Sequence, residues 1–515
     1  MAKLSTQTNI KYPIVFLGLI IFSGMVFFID LVPGNPGVTI TAAIAILMAL
    51  WWVTEAIPMG LTSLLPLILF PVFGVLSGKI VSNVYINYVI FLFLGGFFMA
   101  LALEKWDVHR RIALKILSVV GGSPFKILLG FMVSSIFLSM WMSNTATAMM
   151  MLPIAFSVTT ALEDTHGSNK LGKFTTAILL CVAYGCSIGG AATLVGTPPN
   201  LALVRIFEIL YPSAPEISFG QWIIFTLPLT LIMFIITLVI LYYLFPAQKG
   251  LQILNKSFFK DEYKKLGNIS PEQKRVFALF ILLVVMWIFR KTLTIGSFSI
   301  PGWSSLFPQP KYINDGTIAI FVAVLLFIIP SSDKTNKEGL ITWSIVTKIP
   351  WRIILLFGGG FALAKGFIDS GLSDYIGGKL VFAGSMSDMS LLFTVTSIMT
   401  FLTEFTSNTA TTEMMLPVIG GLTNQIQLNP LFLMIPITLA ASMAFMFPVA
   451  TPPNAIVFGT GKLKMVDMVK AGFIINTIGI IFIVLVSYYW GTVVFDIDPN
   501  ILPEWANDIK IDTKH

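Results

Sequence analysis

An all-α polytopic membrane protein, with about eleven transmembrane helices plus two re-entrant helical hairpins in an inverted repeat, is the fold that the sequence predicts. Three observations carry that expectation: long apolar runs nearly free of charge, a motif block that occurs twice, and proline pairs set inside apolar runs. Only 11% of the 515 residues are charged and 56% are apolar, at a mean hydropathy of +0.88. A soluble domain has about a quarter of its residues charged. A water-soluble fold is therefore excluded, and the lipid bilayer is the expected solvent.

Taken in order, apolar runs fall near 12–32, 38–53, 60–76, 89–104, 174–205, 221–246, 275–293, 315–330, 353–369, 431–458 and 471–495. These lengths suit a bilayer core. The first run lacks a small-residue cleavage site, so it reads as a retained span and not a signal peptide. Two further stretches, 124–160 and 385–422, are interrupted midway by polar residues and contain Pro153 or Pro417, which suits re-entrant hairpins. Between 247 and 274, Leu251, Ile253, Leu254, Phe258 and Phe259 alternate with lysines. That stretch reads as an amphipathic helix on the membrane surface or as a solvated linker.

The net charge of +7 is distributed by loop. Lys105, Arg110, Arg111 and Lys115 mark one side, as do Lys249 to Arg275, then Lys334 and Lys337, then Lys462, Lys464 and Lys470. Alternate loops of a plasma-membrane protein are cytoplasmic and basic, so the N-terminus is expected inside and the C-terminus outside. Basicity here reports topology, and no nucleic acid partner is expected. Cys181 and Cys186 lack metal or disulfide spacing and read as packing residues. His109 and His166 lie in polar loops and His515 ends the chain, so no His-based site is visible.

Ser143-Asn-Thr-Ala-Thr-Ala-Met-Met-Met-Leu-Pro153 and Ser407-Asn-Thr-Ala-Thr-Thr-Glu-Met-Met-Leu-Pro417 agree at nine of eleven positions. Downstream of each lie Val195-Gly-Thr-Pro-Pro-Asn200 and Val449-Ala-Thr-Pro-Pro-Asn454, which agree at five of six. Gly95-Gly96 and Gly358-Gly359 form a weaker third pair. The chain is two related halves. Five crossings separate the two Ser-Asn-Thr motifs, so equivalent elements enter the membrane from opposite faces, as in secondary transporters.

Pro198-Pro199 and Pro452-Pro453 break their helices, and non-helical backbone at membrane depth is tolerated only where it is packed in protein or lines a cavity. Ser143-Asn144-Thr145 and Ser407-Asn408-Thr409, at hairpin tips, offer hydroxyls, amides and free main-chain donors at the positive end of a half-helix. Two such tips suit a ligand with two anionic groups. With no Arg or Lys in the motifs, cations are expected to supply the missing charge, sodium being the natural candidate. Freed carbonyls with Ser139, Ser143, Asn144, Thr403 and Asn408 are suitable oxygen ligands. A lone Ser-Asn-Thr would be ordinary helix packing; its duplication beside two Pro-Pro breaks favours function.

Glu404 and Glu413 flank the second motif, and Met149 takes the place of Glu413 in the first. Glu413 reads either as a coupling or proton-linked group or as a salt-bridged or solvent-facing side chain. Glu55, after Trp51-Trp52 and before Pro58, reads as an anchor and helix end.

Trp51-Trp52-Val-Thr-Glu55-Ala-Ile-Pro58, the paired Ser-Asn-Thr motifs and the paired Thr-Pro-Pro-Asn motifs together resemble the divalent anion/sodium symporter family, the INDY-type di- and tricarboxylate transporters. The resemblance covers nearly the whole chain. It implies a homodimer whose protomers each have a scaffold and an elevator-like transport domain: scaffold 1–116 and 275–380, transport 117–246 and 381–495, a cytoplasmic linker 247–274 and a tail 496–515. It implies substrate contacts from Asn144, Thr145, Asn408 and Thr409, closed by Thr197, Pro198, Thr451 and Pro452. One sodium site would use Ser139, Ser143, Asn144 and Gly196, the other Thr403, Thr406, Asn408 and Ala450. No other cofactor is implied. The expected function is secondary transport of dicarboxylates by sodium symport or exchange, with citrate or sulfate as alternative cargo. An intramembrane enzyme lacks a visible nucleophile, base or metal cluster, and a channel suits inverted broken helices less well.

Overall fold

Helix boundaries follow the capping residues and breakers. The computed structural model describes residues 10–120, 123–166, 171, 173–248, 256–295, 298–332, 338–499 and 501–507. The first half opens with α1 (Tyr12–Phe28) and α2 (Pro36–Thr54), packed on each other. Glu55 ends α2 in the left-handed region at φ 46° and pairs with Arg352 at 2.9 Å. The run at 60–76 is not one helix but two, Met59–Thr62 and Leu65–Val72. Pro66 has no amide to continue the earlier turn, and Gly74 leaves the helix at φ 70°. After the Gly78–Tyr85 helix come α3 (Tyr88–Lys105) and α4 (Val108–Val120).

The first hairpin is α5 (Pro124–Ser139) and α6 (Asn144–His166). The first broken helix is α7 (Phe174–Ala191) and α8 (Pro198–Leu210), followed by α9 (Phe219–Leu244). The second half contributes α10 (Pro271–Ile288), α11 (Asp315–Ile328), α12 (Trp351–Ser370) and α13 (Leu372–Lys379). Its hairpin is α14 (Asp388–Leu402) and α15 (Asn408–Gln425), its broken helix α16 (Pro430–Ala441) and α17 (Pro452–Phe458), and α18 (Met465–Leu485) follows. Ser123 and Ser387 cap the two hairpins alike. Seven described helical stretches are long and apolar enough to cross a membrane, and six shorter ones are apolar.

Every residue of α7 and of α16 is buried, as an all-round apolar helix requires. Glycines set the close approaches: a Cβ at Gly189 would stand 2.3 Å from the Ile136 carbonyl oxygen of α5, and one at Gly95 would stand 2.4 Å from Ala319 Cβ of α11. Gly95→Leu therefore forces α3 and α11 apart. A loss of roughly 3 kcal/mol is expected, read as a lower thermal transition in detergent.

Packing across the halves is crosswise. Helix α8 lies on α15, the second arm of the other half's hairpin, while α17 lies on α6. Tyr211 donates to the Gly420 carbonyl at 3.2 Å and to Asn424 Oδ1 at 3.0 Å, and Tyr184 donates to the Phe445 carbonyl at 2.8 Å. Buried Arg290 joins the ends of α10 and α11, with its Nε 2.5 Å from Asp315 Oδ1 and its Nη2 2.5 Å from Glu216 Oε1.

Three features depart from the sequence reading or refine it. Leu293–Ile295 pairs antiparallel with Phe298–Ile300, so the all-α chain carries a small β-hairpin, its strands too short to show a period of two. Within 247–274, Lys256–Lys265 is helical and packs on α4, where Arg111 donates to the Leu266 and Gly267 carbonyls at 3.1 Å. Trp505 packs edge-on against Phe207 and Tyr211, docking the described part of the 496–515 tail. Residues 249–255 and 508–515 lie outside the described residues. Glu272, at the start of α10, accepts the Ser332 amide at 2.7 Å, and hydrogen bonding there holds its carboxyl down at about 2.

Candidate substrate and cation site

Each hairpin tip lies against the break of its own half's helix. Thr193 in the first break donates to the Met140 carbonyl at the first tip, 2.5 Å away. At the second tip, Glu404 accepts the amides of Phe445 (2.7 Å), Met446 (2.9 Å) and Phe447 (3.1 Å) from the second break. The breaks free main-chain carbonyls, and the buried last residue of each Thr-Pro-Pro-Asn motif recovers them. Asn200 donates to Thr193 at 2.7 Å and to Ala191 at 3.2 Å; Asn454 donates to Ala444 at 3.0 Å and to Phe447 at 3.1 Å.

A matching pair of oxygen clusters stands where tip and broken helix meet. In the first, Ser139 Oγ is 2.6 Å from Asn144 Oδ1 and 2.8 Å from the Cys186 carbonyl. In the second, Thr403 Oγ1 is 2.6 Å from Asn408 Oδ1 and 2.9 Å from the Ala441 carbonyl. The same end of the Asn144 amide also lies 3.1 Å from the Cys186 carbonyl and 3.3 Å from that of Gly196. With its nitrogen turned there, Asn144 makes three hydrogen bonds. With its oxygen turned there, four oxygens converge, the hard donor set that a small cation takes. Gly196 fits against this cluster because it has no side chain: a Cβ on it would stand 2.5 Å from the Gly190 carbonyl oxygen and 3.0 Å from that of Ser139.

The other residues expected from the sequence fall as follows. Ser143 caps α6 through the Ala146 amide at 3.2 Å, and Thr145 is half-buried beside it. Ser407 and Asn408 are half-buried and Thr409 is buried at the start of α15. Thr197 and Thr451 are the buried N-caps of α8 and α17, with Pro198 half-buried and Pro452 exposed. Four helices thus begin beside the two clusters, each with its positive dipole end there; α6 and α15 also bring main-chain donors, whereas Pro198-Pro199 and Pro452-Pro453 remove the first two from α8 and α17. Thr406 turns its hydroxyl to the Leu402 carbonyl and to Thr411. Ala450 is buried, with its amide on the Phe447 carbonyl.

The halves are not equivalent. Glu404 adds a buried carboxylate to the second tip, fixed also by Asn476 Nδ2 at 2.6 Å, whereas Met140 takes its place in the first. Sequence reasoning assigned no role to Asn200, Asn454 or Asn476. The final residue of the duplicated motif was the available signal for the first two, and Asn476 had none. Nor is Glu413 salt-bridged or solvent-facing: it is fully buried and has no partner among the described residues. Its helix is turned by packing on α12, which spacing along α15 alone does not reveal.

Inverted halves, broken helices and paired oxygen clusters under helix N-termini define a secondary transporter. Comparison with known proteins agrees. The sequence model for the sodium:sulfate symporter transmembrane region matches residues 14–497, and the chain belongs to that family. It is 41% identical over 461 residues to the sodium-dependent dicarboxylate transporter SdcS of Staphylococcus saprophyticus, covering 88% of this chain and 86% of that one. Its identity to SdcS of Staphylococcus aureus is 40% over 464 residues, covering 89% and 87%. The crystal structure of the Alcanivorax borkumensis YdaH transporter shares the fold at TM-score 0.51 and 13% identity, over 82% of this chain and 88% of that one. The protein is a multi-pass membrane transporter and not an enzyme.

Proposed function

We propose that this protein carries four- and five-carbon dicarboxylates (succinate, malate, fumarate and 2-oxoglutarate) across the cytoplasmic membrane, driven by sodium. The observation that carries the reading is the pair of matching oxygen clusters, Ser139–Asn144–Cys186 and Thr403–Asn408–Ala441. Sodium ions bound there, with Gly196 and Ala450 supplying main-chain oxygens, neutralise a dianion held by Ser143, Asn144, Thr145, Ser407, Asn408 and Thr409. Thr197, Pro198, Thr451 and Pro452 close the site. The sodium-dependent dicarboxylate transport for which the two staphylococcal relatives are named supports both the cargo and the ion.

The protein works as a homodimer with its N-terminus cytoplasmic and its C-terminus outside. Residues 117–246 and 381–495 form a transport body that moves past a scaffold of 1–116 and 275–380, joined by the 247–274 linker. Uptake of labelled succinate into proteoliposomes tests this reading. Uptake driven by an inward sodium gradient is expected. Uptake that needs internal dicarboxylate and ignores sodium overturns symport in favour of exchange, and sulfate or citrate uptake without succinate uptake overturns the cargo.

A further inference from the structure

Glu413 is the one carboxyl among the described residues with both oxygens buried and unpartnered. It projects from α15 into the space left by Gly360 of α12, where an added Cβ would stand 2.2 Å from Glu413 Cδ and Oε2. The three consecutive glycines, Gly358 to Gly360, let α12 approach Tyr85, Ser63 and Glu413 in turn. The corresponding position in the first half is Met149, which is 61% exposed. The repeated fold therefore does not require an acid here.

Among the described residues, no countercharge faces this carboxyl. Helix α15 packs on α2, α8, α12, α13 and α16. No charged residue occurs within α2 or α16. On α8, Arg205 pairs with Glu208; on α12, Lys365 pairs with Asp369 and Arg352 with Glu55. On α13, Lys379 lies over the Tyr375 ring and Asp374 is exposed. Tyr85, packed on α12, gives its hydroxyl to the Ser63 carbonyl. A carboxylate buried from bulk solvent, with no cation or donor among the described residues, is strongly disfavoured against the neutral acid.

We propose that Glu413 is a proton-binding site at the α12–α15 contact. The side chain is a neutral carboxylic acid while α15 is seated on Gly360, and the O–H bond breaks, giving its proton to water, only when the two helices part. The remaining carboxylate must take up a proton before α15 can reseat. The inference rests on the reading that α12 and α15 belong to bodies that slide past one another. Alkaline conditions then slow the reseating step, because the exposed carboxylate stays ionised. This makes transport pH-dependent in a range where the dicarboxylate itself no longer titrates.

The test pairs a spectroscopic readout with a transport one. Infrared difference spectra of the full-length protein in proteoliposomes are expected to contain a protonated carboxyl C=O stretch that is missing from Glu413→Gln. Sodium-driven succinate uptake by the native protein is expected to fall several-fold between about pH 7 and about pH 9. Uptake by Glu413→Gln, which cannot ionise, is expected to stay level, and Glu413→Met, the residue of the other half, provides a second non-ionising variant. A native spectrum without that band, or one pH profile shared by all three proteins, overturns the proposal. Absence of succinate uptake at every pH would instead count against the transport reading, while the infrared band still decides the proton site.

Discussion

Asn144→Ala and Asn408→Ala are each expected to abolish sodium-driven dicarboxylate uptake while leaving the protein folded. Each asparagine stands at the start of a half-helix, with its side-chain amide 2.6 Å from a hydroxyl of the preceding arm. Both are only half-buried, so truncation removes no core volume. On the proposed site, what is lost is an oxygen ligand for the cation and a donor for the substrate carboxylate. Contacts to charged groups are worth about 1.5–3 kcal/mol each. Losing two at one residue costs about 3 kcal/mol or more, a fall in affinity of roughly a hundredfold or greater. Sodium-dependence curves and size-exclusion profiles check both halves of the statement. Native uptake in either variant, at a normal sodium requirement, would sink the site assignment.

Glu404→Ala is expected to unfold the second tip. The native carboxylate, itself buried, satisfies three successive amides, of buried Phe445 and half-buried Met446 and Phe447, and the buried Asn476 side chain. Removing it leaves four donors without their acceptor at once, those of Phe445 and Asn476 fully buried. Stripping a buried charge network of one partner typically costs about 3–5 kcal/mol. The expected result is a much lower thermal transition in detergent and little folded protein. Glu404→Gln, which keeps an acceptor but turns an amide nitrogen toward the same donors, should fall between the two. A thermal transition unchanged in Glu404→Ala would mean that the Phe445–Phe447 amides find other acceptors.

Much of this arrangement was legible in the sequence because it is written in breakers and duplicates. Pro198 and Pro452 lie at the starts of α8 and α17, and the Ser-Asn-Thr motifs fall where α5 gives way to α6 and α14 to α15. Pairings that depend on three-dimensional packing were not legible. Nothing in the spacing of α8 says that it lies on α15, and the turning of Glu413 toward Gly360 depends on that assembly. The run 60–76 misled because apolar content continues through Ser63 and Gly74 while the helix does not. Glu404 was visible as an intramembrane acid, but its partners come from a segment forty residues on that has no regular hydrogen-bond pattern of its own.

The crosswise packing of α8 on α15 has a consequence for biogenesis. Helix α8 ends at Leu210 and its partner begins at Asn408, so roughly two hundred residues must be synthesised before the two can meet. At about 5–20 residues per second, that interval lasts on the order of ten to forty seconds. Throughout it, the first broken helix is in the membrane with its apolar second arm uncovered and with the Tyr211 hydroxyl lacking its Gly420 and Asn424 acceptors. The nascent first half is thus a substrate for membrane chaperones and proteases until the second half arrives, and neither half is a self-sufficient folding unit.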